Sequence, residues 1–95
     1  MAAYVIANID VTDPAAYDEY RKGVLATIER YGGRFLVRGG TAESLEGDWT
    51  PKRIVVLEFA SVDQANAWYR SPEYAPLLAL RKRASKGDLF IVAGV

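Results

Sequence analysis

Arg53-Ile54-Val55-Val56-Leu57-Glu58-Phe59 is the stretch on which the fold turns. It is β-branched, almost continuously apolar, and closed off by Pro51 before it and Ser61 after it. That pattern reads as a strand. A strand sends alternate side chains to opposite faces, so a continuous apolar run is apolar on both. Ala3-Tyr4-Val5-Ile6-Ala7-Asn8-Ile9 reads the same way, with Asn8 as its one polar interior member. So does the run from Asp88 to Ala93 near the C-terminus. Arg34-Phe35-Leu36-Val37-Arg38 is a shorter fourth strand. A sheet of such strands is not satisfied by one covering layer of helices. The expectation is that a second copy of the chain covers the open face, giving a homodimer.

Two helical stretches lie between the strands. Asp13 is placed to cap orphan N–H groups, and Pro14 suits the first helical position because it has no N–H to lose. Tyr17, Tyr20, Val24 and Ile28 then recur at helical spacing on one face. Gly32-Gly33 ends that helix. Ser61 with Gln64 three residues on matches a capping box for the second helical stretch, which carries Ala65, Trp68 and Tyr69. Ser71-Pro72 breaks it. Tyr74, Leu77, Leu78 and Arg81 resume the spacing, and Pro76 sets the start of regular helix near Ala75. The segment from Gly39 to Pro51 is loop-rich, with room for a short strand near Ala42 to Glu46. The order β-α-β-β-α-β is the split βαβ, ferredoxin-like α+β plan: an antiparallel sheet with helices on one side.

The chain has 95 residues, enough for one domain of ordinary composition, 51% apolar and 25% charged. Twelve Lys and Arg balance twelve Asp and Glu. That balance argues against general nucleic-acid binding and offers no attraction to an anionic membrane. Cysteine and histidine are absent. No disulfide, thiol nucleophile, imidazole proton shuttle or His- or Cys-ligated haem is therefore expected. Met1 leads directly into a strand pattern without a basic, then apolar, leader, so the expected location is cytoplasmic.

Several groups of residues together resemble the small proteins of the domain of unknown function 1330 family. They are Asp13-Pro14 with Tyr17 and Tyr20, then Tyr31-Gly32-Gly33-Arg34-Phe35, then Glu46-Gly47 with Trp49 and Pro51, and Glu58-Phe59. Trp68, Ser71-Pro72-Glu73-Tyr74 and Arg81 complete the set. The resemblance covers essentially the whole chain. It implies the dimeric α+β-barrel superfamily, in which two ferredoxin-like sheets face each other. Relatives of that architecture include cofactor-free monooxygenases, lactone isomerases, haem enzymes and ligand-sensing domains. A fold shared so widely does not transmit a reaction.

A domain of this plan leaves a mostly apolar pocket between helices and sheet. The candidate ligand-binding residues are Tyr17, Tyr20, Arg38, Trp68 and Tyr74, and the candidate catalytic residues are Glu58 and Arg81. Trp68 and Tyr74 would flank the ligand, or simply pack the core. Arg81 shares a helical stripe with Tyr74, Leu77 and Leu78; it would hold an anionic group by a two-point contact, or keep its head in water. Glu58, a carboxylate inside an apolar strand, would move a proton, or would pair with Arg38 or Arg81, or would reach solvent at the strand end. Gly32-Gly33 and Gly39-Gly40 are turn residues, since neither pair precedes a helix. Asp13, Asp18 and Glu19 fit capping and helix-surface roles better than a metal site, and no cofactor is expected. The functional expectation is binding of a small organic molecule, with cofactor-free proton transfer or oxygenation as its enzymatic form. The rival is a non-catalytic ligand-sensing or protein-interaction module.

Overall fold

The computed structural model describes residues 1–95. Its elements are β1 (Ala3–Val11), α1 (Pro14–Arg30), β2 (Arg34–Arg38), β3 (Arg53–Phe59), α2 (Val62–Tyr69), α3 (Ala75–Ala84) and β4 (Ser85–Ala93). The four strands form one antiparallel sheet in the order β2-β3-β1-β4. This is the ferredoxin-like α+β plan, with the second helical stretch divided in two.

The helix ends follow from local chemistry. The Asp13 carboxylate accepts from the Ala16 N–H at 3.2 Å, and Pro14 opens α1. At the other end Gly32 takes φ +77, Gly32 N donates to Glu29 O and Gly33 N to Ile28 O. These two bonds satisfy carbonyls that the helix leaves free. Ser61 Oγ accepts from Gln64 N, as a capping box requires. The Gln64 side chain does not return the bond; it donates to Tyr31 O and ties α2 to the end of α1. Ser71 Oγ donates to Trp68 O and accepts from Tyr74 N, bridging α2 and α3. Pro76 sits in the first turn of α3, where a missing N–H costs nothing.

The strand expected near Ala42 to Glu46 does not form. Residues 40–52 have no helix or strand. That segment offers only Ala42 and Leu45 to bury, too little to hold a strand, and Trp49 beyond it stays 65% exposed.

Register decides what each face of the sheet carries. Val5 faces Leu57 and Ile91 across the ladder, and Ala7 faces Val55 and Leu89. These residues point under the helices, where Val24, Ile28, Phe59 and Trp68 complete the core. The alternate positions, among them Tyr4, Ile6, Ile54, Val56, Phe90 and Val92, form the other face. No helix covers it, and Phe90 is 53% exposed. Asn8 belongs to that face and accepts from Lys52 N at 2.8 Å, anchoring the end of the loop. No helix is long and apolar enough to cross a membrane.

Candidate functional site

The helical stripe Tyr17, Tyr20, Val24 and Ile28 lies over the centre of the sheet, with Trp68 of α2 and Arg81 of α3 beside it. Together with Val5, Ala7 and Ile9 of β1 they enclose an apolar cavity of about 30 Å³. That is room for roughly one or two water molecules.

The polar groups at the inner wall form a chain. Arg81 Nε donates to Tyr74 Oη at 3.3 Å, and Tyr74 Oη shares a hydrogen bond of 2.9 Å with Tyr20 Oη. A second chain runs from Trp68 Nε1 to Thr27 Oγ1 at 3.1 Å, and from Thr27 Oγ1 to Val24 O at 2.7 Å. The rings stack along this wall: Trp68 and Tyr74 have centroids 4.2 Å apart, and Phe59 and Trp68 5.5 Å. Burial pushes the Tyr20 phenol far above its ordinary range, and the neighbouring Tyr74 adds to the effect. Burial also raises Tyr74. For Arg81, burial pulls downward, but Tyr74, Tyr20 and Tyr69 together outweigh it and the guanidinium ends above its usual value. Both phenols are therefore neutral donors at pH 7, and Arg81 is a cation. Arg81 is only 8% exposed, yet no carboxylate pairs with it.

Arg21, Arg38 and Arg53 also line the cavity. Arg38 lies over the Phe35 ring, 4.4 Å from its centroid, and Arg53 lies 5.7 Å from the Tyr17 centroid. Arg21 makes a long contact of 3.7 Å with Asp18.

Five of the seven residues singled out from the sequence, Tyr17, Tyr20, Arg38, Trp68 and Arg81, line this cavity, and Tyr74 backs it through Tyr20 and Trp68. Glu58 does not join them. It alternates with Leu57 and Phe59, which point to the core, so its side chain lies on the open face. There it pairs with Arg34 across the ladder at 2.7 Å, not with Arg38 or Arg81. Arg38 instead donates to Arg21 O at 3.4 Å. Three contributors were missed. Arg53 shares the core-side alternation of Val55 and Leu57, and Arg21 lies four residues after Tyr17; both signals were in the sequence. Thr27 gave none. No cluster of acidic side chains suited to a metal ion occurs.

The family described as Domain of unknown function (DUF1330) matches residues 2–95. The chain belongs to that family. Among solved structures, this DUF1330 chain is similar to a protein of unknown function from Rhodopseudomonas palustris. The TM-score is 0.78 at 18% identity, covering 99% of this chain and 82% of that one. It is also similar to SnoaB, a cofactor-independent oxygenase from Streptomyces nogalater, with TM-score 0.66 and 13% identity over 99% of this chain and 93% of that one. A candidate antibiotic biosynthesis monooxygenase from Nitrosomonas europaea aligns with TM-score 0.61 and 14% identity over 100% and 99% of the two chains. At these identities the likeness is one of fold. No curated protein matches the chain.

Proposed function

We propose that this DUF1330 protein binds a small organic molecule in the cavity between helices and sheet. Trp68, Tyr74 and Tyr17 shape the apolar walls, and Arg81 with Tyr20 meets an oxygen-bearing or anionic group. One observation carries the reading: Arg81 is a buried cation at the cavity wall without a carboxylate partner. An unpaired buried charge lowers stability, so its retention suits a group whose counter-charge arrives with a ligand.

Proton transfer or oxygenation without a cofactor is the catalytic extension of this reading. The neutral phenols of Tyr20 and Tyr74, backed by Arg81, are suited to stabilising an oxyanion as it develops. They are not suited to taking a proton at pH 7. No carboxylate lines the cavity, so the geometry supports binding ahead of turnover. The second reading, a non-catalytic sensing or interaction module, is favoured by the cavity's small volume, which its own side chains nearly fill. The proposed assembly is a homodimer through the open sheet face, which carries Ile6, Ile54, Val56, Phe90 and Val92.

A library of small aromatic and aliphatic carbonyl compounds and acids, screened by thermal melting, tests the binding reading. A true ligand should also move the Trp68 indole N–H resonance, and its effect should vanish in Arg81→Met. Stabilisation that persists unchanged in that variant would place the ligand elsewhere and remove this cavity as the site.

A further inference from the structure

We infer that the ligand of this cavity is an apolar monocarboxylate whose carboxylate is held at the mouth by Arg38 and Arg53. The inference rests on the binding reading above and narrows it to a chemical class. The chain is neutral overall, yet every charged residue lining the cavity is an arginine: Arg21, Arg38, Arg53 and Arg81. Positive potential is thus concentrated at one opening of an otherwise balanced protein.

Arg53 is the strongest sign. Its Nε is buried and has no hydrogen-bond partner. A buried donor left unmade is costly and uncommon in a native structure. The guanidinium is held in place sterically. The backbone of Gly39, at φ +72, lies so close that a Cβ there would overlap Arg53 Nη1, and the Tyr17 ring lies nearby. Arg38 is likewise positioned by the face of Phe35, with one long hydrogen bond to Arg21 O. Four carboxylates, Asp18, Glu19, Glu73 and Glu58, pair with Arg21, Lys22, Arg30 and Arg34, and none pairs with Arg38 or Arg53. Two planar cations fixed by ring faces and backbone keep N–H groups available for a planar, two-oxygen anion.

The rest of the lining is almost wholly apolar, so the body of the ligand is a hydrocarbon or aryl group. A doubly charged, strongly hydrated phosphate ester suits such walls less well. Entry needs more than the present 30 Å³. Arg21 can supply it: its side chain is 48% exposed and takes no part in the clamp, so it can swing outward while Arg38 and Arg53 stay in place. Arg81 lines the same small cavity, so this carboxylate is also the counter-charge that Arg81 lacks.

The test is calorimetric titration of the full chain with 2-naphthoate, its neutral isostere 2-naphthamide, and 2-naphthyl phosphate. The expected result is naphthoate binding at least tenfold tighter than naphthamide. In Arg38→Gln/Arg53→Gln that preference should shrink below threefold, with circular dichroism reporting whether the variant is folded. Should it not fold, the naphthoate–naphthamide comparison on the natural chain, at 50 and 500 mM salt, decides alone. Equal affinities for acid and amide overturn the carboxylate while leaving a binding cavity. Tighter binding of the phosphate ester overturns it as well. A preference that survives the double substitution but disappears in Arg81→Gln overturns the mouth assignment. If none of the three probes binds, this inference fails, while the binding reading stands or falls with the library screen.

Discussion

Tyr74 is the residue on which the inner wall depends. Its hydroxyl is the only polar group that joins Arg81 to Tyr20. Tyr74→Phe should leave both partners short of a bond and cost about 2–3 kcal/mol in urea unfolding. Tyr20→Phe should cost less, about 1 kcal/mol, because Tyr74 keeps Arg81. Equal losses in the two variants would mean that the chain is not ordered as described. Arg81→Met behaves differently: it removes a buried, unpaired charge and keeps an apolar stem. Its stability should stay within about 1 kcal/mol of the natural chain, or rise. A loss of several kcal/mol would identify Arg81 as structural rather than ligand-directed. Arg81 was legible at this scale because it sits on the helical stripe of Tyr74, Leu77 and Leu78. Glu58 was misplaced for a physical reason. When both faces of a strand are apolar, alternation tells which residues share a face, not which face the helices cover.

At the scale of elements, most boundaries were written locally. Asp13-Pro14, Gly32-Gly33, Ser61 and Pro76 each perform the capping or breaking role that their backbone chemistry dictates. Ser71 does more than break a helix, because its hydroxyl serves Trp68 O on α2 and Tyr74 N on α3 at once. Ser71→Ala should therefore cost about 1–2 kcal/mol, read as a lower urea midpoint with an unchanged slope. It should also loosen Trp68, whose fluorescence would shift to the red. Two features of the elements were not legible. β2 slips by a residue between Phe35 and Val37 against β3, and Gln64 reaches across to α1 instead of closing its own cap. Both are set by a neighbouring element that is remote in sequence.

For the whole molecule, two predictions follow from burial. The first concerns alkali. Tyr20 and Tyr74 are raised in the folded chain above the value near 10 expected when unfolded. Folded chains then hold these protons more tightly than unfolded ones. The stabilising contribution is complete below pH 10 and is lost as pH rises beyond it, with a limiting slope of about 1.4 kcal/mol per pH unit from Tyr20 and a further loss from Tyr74. Urea midpoints from pH 8 to 11 should fall accordingly, and less steeply in Tyr20→Phe; a flat profile would contradict the burial of this pair. The second concerns the bare face. Phe90→Lys places a charge within its apolar patch and should convert a dimer to a monomer in sedimentation. A natural chain that already sediments as a monomer at high concentration would exclude the proposed assembly.

The short strand near Ala42 to Glu46 was not determined by the sequence alone, but the four strands of the sheet, the helix stripes, the caps and the two-sided apolar character of the sheet were. Each depends on residues close together in the chain and on fixed backbone periods of two and 3.6. Only the tertiary structure decided which face the helices occupy, that Glu58 therefore pairs with Arg34 away from the cavity, and that Arg21, Arg38 and Arg53 all line it. Those outcomes depend on strand register and helix docking between distant segments, and no local pattern encodes such distances.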